Sequence, residues 1–377
     1  MGYARITSTY MPLRTAVVGA GTVSGAHLSG VRKNPRTKLV AICDVDGARA
    51  REVAEEYGIR SFTSVDALLS GTDLDWVHVC TPVQTHLDIA EQAIAAGVPV
   101  QIEKPVTVSS AEFERLEEVA ATHDVPVSVV HNHVFTPAMR TALARVDAGA
   151  IGDVRGVDVV FTGLTKPDEP NRGSWTFDLL GGEFEEGLPH PIYLTLRAGG
   201  YPRSAAVVRA TTSLVGDYDG AFAYDGATLQ YESERGALCT TTMLSGTLPQ
   251  RFVHVHGTQG SLTVDLVSQT VMDVDRDYTT SPVARARNNL DRVVDLVGGL
   301  VENVRSVAAQ RRSDDWGTAT RLNAHYYQID AESRALETGT EMPVPLDQAK
   351  WTTVLLDEVR RSAREAAAEE PLQAMDD

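Results

Sequence analysis

Two short motifs place ionisable side chains directly after apolar runs that are typical of buried strands. The run WVHVC (76–80) is followed by Thr-Pro and then by His86, and the run VPVQIE (98–103) is followed by Lys104 and a proline. If both runs are strands of one parallel sheet, their carboxyl ends meet at one edge, where open α/β sheets bind ligands. A lysine there can donate to a substrate hydroxyl and favour loss of its proton. The alternative is that Lys104 is a salt-bridged residue beside a turn proline.

A glycine loop forms the second candidate site. In GAGTVSG (19–25), Gly19 permits a tight turn and Gly21 lets the backbone approach a pyrophosphate at the start of a helix. Ser24 occupies the sixth position of this motif, where glycine is usual. Asp44 follows Gly21 by 23 residues, where a carboxylate can accept from ribose hydroxyls and repel a 2′-phosphate. We therefore expect NAD, with NADP as the alternative cofactor; a glycine turn followed by a helix-capping aspartate would produce the same pattern.

The elements that position these residues alternate regularly along the first third of the chain. Helical patterns separate short β-branched runs, which lie at 15–20, 38–43, 76–80, 98–103 and 125–130, with a weaker one at 60–65. This βαβ repetition predicts an α/β domain with a doubly wound parallel sheet, a dinucleotide-binding domain over 13–134. A loose tail is expected at 1–12.

A different pattern begins after residue 152. Alternating runs from 203 to about 275 are separated by turn signals at 225–226, 235–236 and 259–260, and three helical stretches follow at 285–311, 317–338 and 346–368. We expect a second, α+β domain over 135–345, with a large open and mainly antiparallel sheet. The C-terminal helical segment, 346–377, could pack back on the first domain.

Composition limits the kinds of partner. The chain has 34 Lys and Arg against 51 Asp and Glu, a net charge of −17 that opposes binding to nucleic acids and to anionic membranes. Cys43, Cys80 and Cys239 are few and far apart, which argues against a disulfide framework or a zinc site and favours a cytoplasmic protein. No stretch approaches 18 apolar residues, so we expect neither a secretion signal nor a membrane span. The acidic, arginine-rich composition favours adaptation to a high-salt cytoplasm over a GC-rich genome as its cause.

The ordered motifs GAGTVSGAH, AICDVD, CTPVQTH and IEKPV resemble those of the Gfo/Idh/MocA oxidoreductases, the family of glucose-fructose oxidoreductase and inositol dehydrogenase. The resemblance continues through HNHVFTPAMRTALARVDAGAIGDV and so covers nearly the whole chain. It implies a Rossmann domain that binds NAD(P), a second domain whose open sheet mediates dimers or tetramers, and hydride transfer to or from a carbon of a sugar or cyclitol.

The resemblance also implies a set of catalytic groups. In that family the lysine of the Glu-Lys-Pro motif works with an Asp and a His that lie four residues apart after a Gly-Gly pair. Here the Gly-Gly pair and His190 match, but Glu186 stands in place of the Asp. An imidazole can take the hydroxyl proton while hydride leaves the same carbon, and a carboxylate can orient it. The longer Glu186 moves that carboxylate by about one methylene, which affects rate and substrate choice, and Pro189 and Pro191 indicate that His190 could simply begin a helix.

The remaining assignments follow from the same motifs. The candidate cofactor contacts are Gly19, Gly21, Thr22, Val23, Asp44, Val45, Thr81, Pro82, His86, Glu103, Lys104 and Asn132. The candidate substrate contacts are Lys104, His133, Trp175, Glu186, His190 and His325, although His325 could be an ordinary residue of a helix face. The pairs His131/His133 and His254/His256 would each share one face of a strand, but neither has a third ligand at a fitting spacing, so no metal site is expected.

Together these features predict a cytoplasmic NAD-dependent dehydrogenase or reductase that acts on the CH–OH group of a sugar, polyol or sugar derivative, as a homodimer or homotetramer. Two other functions stay open. One is a glycosidase that oxidises a ring carbon transiently with bound NAD, and the other is a non-catalytic sensor that binds a sugar nucleotide or a regulatory partner.

Overall fold

The computed structural model describes residues 11–274, 281–313 and 315–368, so most of the predicted tail at 1–12 lies outside the described residues. The chain divides into two compact units. The first runs to Asn132 and includes Ser313–Asp347, and the second comprises His133–Arg312 and the chain from Gln348 onward.

A parallel sheet of six strands forms the centre of the first unit. Its strands are ordered β3-β2-β1-β4-β5-β6 and comprise β1 (Leu13–Val18), β2 (Thr37–Cys43), β3 (Arg60–Phe62), β4 (Trp76–Val79), β5 (Val100–Ile102) and β6 (Val127–Val129). The helices between them are α1 (Ser24–Lys33), α2 (Gly47–Tyr57), α3 (Val65–Gly71), α4 (His86–Ala95) and α5 (Ser110–His123). Strands β4, β5 and β6 are buried on both faces, as parallel strands covered by helices must be. The predicted doubly wound sheet is confirmed, and its strand order reverses between β1 and β4, where ligands of such sheets bind.

A mixed sheet of seven strands forms the second unit. Its order is β13-β12-β11-β7-β10-β9-β8, and its strands are β7 (Val154–Thr162), β8 (Arg209–Ser213), β9 (Gly226–Glu232), β10 (Leu238–Leu244), β11 (Gln250–Gly257), β12 (Ser261–Asp265) and β13 (Thr270–Val274). The pairing of β7 with β10 is parallel and the other pairings are antiparallel, which confirms the predicted mainly antiparallel sheet. Helices α6 (Pro137–Asp147), α7 (Gly182–Gly187), α8 (Pro189–Gly199) and α9 (Pro282–Arg312) belong to this unit.

The last part of the chain differs from the predicted linear division. Residues 313–345, which were expected in the second domain, belong to the first unit because α10 (Trp316–Leu322) and α11 (Ala324–Thr338) pack on it. Arg36 donates to Asp330 at 3.2 Å, and the Ser128 hydroxyl donates to Glu332 at 2.6 Å. The helix predicted over 317–338 is broken at Asn323, whose side chain accepts from the Tyr326 N–H and caps α11.

For the C-terminal helix α12 (Leu346–Ala368), packing back on the first domain was one possibility from the sequence. From Gln348 it belongs to the second unit, where the Arg360 guanidinium donates to the buried Glu185 at 2.6 and 2.8 Å. The contacts of α11 with the first unit and the ion pair between Arg360 and Glu185 join residues far apart in the sequence. Local sequence patterns do not reveal such contacts, so they could not predict which unit each segment joins. Among the described residues, none of the helices is both long and apolar enough to span a bilayer.

Candidate active site

The glycine loop joins β1 to α1 at the carboxyl edge of the parallel sheet. Gly19 has a φ of +102°, and a Cβ there would overlap the carbonyl oxygen of Cys80 at the end of β4, so only glycine fits. Gly21 is exposed, with no atom within 4 Å of the position of a Cβ. The Ser24 hydroxyl donates to the Gly21 carbonyl at 2.7 Å, so serine at the sixth position closes the loop from within. The loop has the open backbone surface at the start of a helix that a pyrophosphate requires.

Asp44 directly follows β2 and faces this loop. One carboxylate oxygen accepts from the Ala20 N–H at 2.7 Å and the other from the Asp46 N–H at 2.8 Å. The cap of α2 is Asp46, which accepts from the N–H groups of Ala48 and Arg49. Asp44 is therefore not the helix-capping aspartate, and each of its oxygens has a further lone pair for ribose hydroxyls. The neighbouring Val45 is 92% exposed.

His86 connects the two motifs that follow β4 and β5. Its Nε2 lies 2.8 Å from the Thr81 carbonyl oxygen and its Nδ1 lies 2.9 Å from the Pro105 carbonyl oxygen. The ring is buried. His86 therefore supports the loops that carry Thr81, Pro82 and Lys104, because its ring lies between backbone carbonyl groups of both loops.

A buried network of ionisable groups precedes Lys104. His27 Nε2 lies 2.8 Å from Glu103 Oε1, and His27 Nδ1 lies 2.9 Å from His78 Nδ1. The other Glu103 oxygen accepts from the backbone N–H of Lys104 at 3.1 Å. All four residues are buried, and Lys104 is 8% exposed.

The charges in this network are set by burial and by the neighbouring groups. Burial opposes a charge on His27, but the Cys80 sulfur and the Glu103 carboxylate outweigh it and hold the pKa of His27 well above its usual range. Burial and the nearby His27 hold the pKa of His78 well below that range. Burial would raise the pKa of Glu103, yet the hydrogen bond from His27 lowers it to about 2. A charged His27 thus donates to Glu103 and to a neutral His78, so the buried charges cancel.

His325 belongs to this cluster and is not an isolated residue of a helix face. Its ring lies 5.6 Å from that of His27, and its Nε2 lies 3.1 Å from the Asn132 side-chain nitrogen. The nitrogen and oxygen atoms of His27, Glu103 and His325 lie within 4.8 Å of one another, close enough to share a cation. However, both ring nitrogens of His27 are already engaged with Glu103 and His78. The cluster fits a hydrogen-bonded ion pair better than a metal centre, which needs free nitrogen lone pairs.

The two His-x-His pairs differ in the structure. β6 ends at Val129 and a short 3₁₀ helix begins at Asn132, so His131 and His133 do not share a strand face and that expectation is wrong. His131 is buried, which lowers its pKa to about 3. His254 and His256 do share a face of β11, with their rings stacked at 6.5 Å.

Tyr193 organises the candidate groups of the second unit. Its hydroxyl oxygen lies 2.7 Å from His190 Nδ1 and accepts from the His133 N–H at 3.1 Å. The rings of His133 and His190 meet edge to face at 4.5 Å. His190 occupies the first turn of α8, after Pro189, so the predicted helix start is confirmed. The sequence analysis did not identify Tyr193, because it lies in an apolar helical segment and nothing there indicates a functional hydroxyl.

Two neighbouring glutamates of α7 have different surroundings. Glu185 is fully buried and is bound by Arg360, by the Gly181 N–H and by the Tyr224 hydroxyl, so it is structural. Glu186 is 7% exposed, and one of its oxygens lies 3.8 Å from Arg172 Nε.

Trp175 is half-buried in a short 3₁₀ helix, where its indole N–H donates to the Arg172 carbonyl at 2.9 Å. His27 and His78, like Tyr193, are functional candidates that the sequence analysis missed. His27 lay within the quoted GAGTVSGAH motif, which was the available signal.

Comparison with known proteins agrees with both units. Residues 13–131 match the oxidoreductase family model with the NAD-binding Rossmann fold, and residues 139–263 match the GFO/IDH/MocA C-terminal domain. The chain is 26% identical over 262 residues to inositol 2-dehydrogenase of Rhizobium meliloti, covering 68% of this chain and 76% of that protein. It is 30% identical over 239 residues to 4-carboxy-2-hydroxymuconate-6-semialdehyde dehydrogenase of a Sphingobium species, covering 61% and 71%.

A solved structure shares the fold over nearly the whole chain. The crystal structure of a myo-inositol dehydrogenase from Corynebacterium glutamicum has a TM-score of 0.71 at 18% identity and covers 94% of this chain and 98% of that one. The predicted resemblance is confirmed. With its glycine loop, its Glu-Lys-Pro motif and both family domains in order, the chain belongs to the GFO/IDH/MocA family of NAD-binding oxidoreductases.

Proposed function

We propose that the protein is a cytoplasmic dehydrogenase or reductase that moves a hydride between NAD and a CH–OH or C=O carbon of a sugar, cyclitol or sugar derivative. The observation that carries the proposal is the shared carboxyl edge of the parallel sheet. Gly19, which has no room for a side chain, follows β1 there, and the buried Lys104 follows β5. Relatives named for inositol and for UDP-N-acetylglucosamine support this substrate class. A homodimer or homotetramer is part of the proposal.

The glycine loop fits a dinucleotide. The exposed backbone at Gly21 and Thr22 leaves room for a pyrophosphate, and α1 begins at Ser24. The residues assigned to cofactor contact are Gly19, Gly21, Thr22, Val23, Asp44, Val45, Thr81, Pro82, Lys104 and Asn132, with His86 and Glu103 as supports. Asp44 favours NAD because a carboxylate at the end of β2 repels the 2′-phosphate of NADP. When bound, the nicotinamide supplies the acceptor or donor of the hydride.

Lys104 and His190 are the groups that handle the proton. During oxidation the reacting carbon loses a hydride and its hydroxyl loses a proton, so one base balances the step. We assign the base to His190 and the stabilisation of charge on the substrate oxygen to the Lys104 ammonium. As a base, His190 must carry its hydrogen on Nδ1, and the Tyr193 oxygen at 2.7 Å can accept that hydrogen bond. In the reverse direction the same ring returns the proton.

Glu186 is assigned to stabilising the protonated ring of His190. Its carboxylate is buried, so its charge is poorly screened by water, and Arg172 at 3.8 Å shares it. His133, Trp175 and His325 are assigned to substrate contact. Specificity within the sugar class then depends on the loop that contains Arg172 and Trp175.

The test follows nicotinamide absorbance with NAD and with NADP across aldoses, inositols, uronates and nucleotide sugars. We expect reduction with NAD that is lost in Lys104→Ala and in His190→Asn. NAD binding, measured by calorimetry, should persist in His190→Asn, because His190 is not among the residues assigned to cofactor contact. The matched control is Lys38→Ala, an exposed lysine of β2 outside the proposed site.

Two results would contradict the proposal. Release of the leaving group from aryl glycosides without net NADH formation would establish the redox-assisted glycosidase. Tight binding of NAD and of a nucleotide sugar, with no turnover in either direction, would establish the sensor.

A further inference from the structure

Helix α9 (Pro282–Arg312) has two faces of opposite character. It is 31 residues long, which corresponds to about 46 Å, and it has no buried residue. One face rests on β13 and the turn before it. There an Asp295 oxygen accepts from the Asp273 N–H at 3.1 Å, and the Asn303 side chain donates to the Ser268 carbonyl at 2.7 Å. Gly299 lies on the same face, against the Thr270 side chain.

The opposite face carries a regular apolar stripe, which we call the α9 seam. At 100° per residue its centre lies across the helix axis from Asp295 and Gly299, and Asn303 lies between the two faces. Exposure of its side chains ranges from 50% at Val307 to 78% at Val283. The seam consists of Val283, Leu290, Val293, Val297, Leu300, Val304 and Val307.

The spacing of the seam is that of a coiled coil. From Leu290 onward the apolar residues alternate by three and four positions, a mean period of 3.5, which keeps one stripe facing a partner helix. Val294 and Val301 widen the stripe on one side and Leu296 on the other. Monomeric proteins rarely expose a continuous apolar surface of this length. The helix therefore has the features of one half of a helical pair.

The charges beside the seam indicate which partner fits. The positions flanking the seam contain a single charged residue, Arg287, and the others are Asn289, Val294, Leu296, Val301, Asn303, Ala308 and Gln310. Flanks of this kind neither repel a second identical helix nor select a helix of opposite charge. The chain as a whole has a net charge of −17, which opposes an anionic membrane as the partner.

An antiparallel arrangement of two α9 helices is self-complementary. When the two-fold axis passes between Gly298 and Gly299, Val297 of each copy is level with Leu300 of the other. Leu290 is then level with Val307 and Val293 with Val304, so every layer of the seam is apolar.

We propose that the α9 seam is an interface at which two copies of this chain associate through an antiparallel pair of α9 helices. This interface uses the helix and not the open sheet, and it does not depend on the proposed reaction. Two helices about 46 Å long and about 10 Å wide cover roughly 900 Å² in total, near the lower bound for a specific interface. An interface of this size is typical of weak, reversible association.

The test compares the mass of the full chain in solution with that of Val297→Glu/Leu300→Glu. These two side chains are 52% and 61% exposed, so the substitutions leave the fold intact while placing four carboxylates at the centre of the pair. We expect the variant to have half the mass of the wild type and a dissociation constant raised at least about tenfold. The matched control is Val215→Glu/Leu248→Glu, which adds the same charge at side chains that are 86% and 80% exposed, and it should keep the wild-type mass.

A crosslinking experiment tests the alignment independently of these variants. Val293→Cys/Val304→Cys should form a disulfide-linked dimer, whereas Val304→Cys alone should not, because two copies of that position lie 11 residues apart along the antiparallel pair. The natural cysteines are all buried. Crosslinking by Val304→Cys alone would overturn the antiparallel alignment.

Two further outcomes would overturn the proposal itself. One is an equal mass for the wild type and the seam variant across the micromolar range. The other is binding of the wild type, but not of the seam variant, to phosphatidylglycerol vesicles with no difference in mass, which would identify a membrane surface as the partner.

Discussion

The His27 imidazole lies 2.8 Å from a carboxylate oxygen of Glu103, and the second oxygen of that carboxylate accepts from the backbone N–H of Lys104. A buried ion pair thus holds the backbone of the residue assigned to catalysis. Removal of one member leaves the other charged and without compensation in a medium of low polarity. The ion pair of His27 and Glu103 therefore positions the backbone of Lys104 and also forms part of the core.

His27→Gln is therefore expected to lower the free energy of unfolding by about 3 kcal/mol, measured by urea denaturation. His27→Gln/Glu103→Gln should recover part of this loss, because neither partner is then a buried charge. His123→Gln, at an exposed position near the end of α5, is the control and should change stability by less than about 0.5 kcal/mol. If His27→Gln and His123→Gln lower the free energy of unfolding equally, His27 carries no buried charge.

Glu332 makes stability depend on pH. It is buried and accepts from Ser128 at 2.6 Å, from Gln328 at 2.7 Å and from Gln101, and burial raises its pKa from 4.5 to about 7 despite these bonds. Between these two values the unfolded chain has lost the proton that the folded chain retains. Stability from this group is thus full below about pH 4.5 and falls by up to about 3 kcal/mol as the pH rises to about 7.

Glu332→Gln should remove this fall and raise stability at pH 8 relative to pH 5. The new amide oxygen can keep the bonds from Ser128 and Gln328, and a turn of the Gln101 amide presents its oxygen, a buried acceptor without a partner among the described residues, to the added N–H. Urea denaturation of both proteins at the two pH values measures the difference. Parallel pH profiles would show that Glu332 does not titrate in this range.

Tyr193→Phe should reduce activity more than it reduces stability. The substitution removes the oxygen that bonds His190 Nδ1 and the His133 N–H, so kcat should fall at least about tenfold with little change in KM. Loss of stability should be about 1 to 2 kcal/mol. Tyr231→Phe is the matched control, because that buried hydroxyl donates to the Gly200 carbonyl at 2.9 Å and does not contact the candidate catalytic groups. It should cost similar stability and leave kcat unchanged; the proposed role fails if both variants keep full activity.

Substitutions in the glycine loop should separate folding from cofactor binding. Gly19→Ala should destabilise the fold, because its φ of +102° and the Cys80 carbonyl exclude a Cβ. Gly21→Ala meets no atom within 4 Å and should leave stability unchanged while weakening NAD binding at least about tenfold in calorimetry. Gly298→Ala, another open position, should leave NAD binding unaltered. Unchanged affinity in Gly21→Ala would remove Gly21 from the cofactor site.

The sequence by itself determined those features that depend on neighbours along the chain. All six strands of the parallel sheet lie within or beside the predicted runs, and the helix predicted at 285–311 is observed at Pro282–Arg312. The glycine loop and the position of Lys104 at a strand end were also predictable. Periodicity and turn chemistry act over a few residues, so they are visible in the sequence.

The tertiary structure alone decided which distant residues share a site. Asn132 and His325 are 193 positions apart, and Ser128 and Glu332 are 204 positions apart, yet each pair is hydrogen-bonded. These contacts join residues 313–347 to the first unit, and they place His325 beside His27 and Glu103. The physical reason is that burial and charge balance are properties of the packed core, where each group's pKa depends on neighbours that no local pattern specifies.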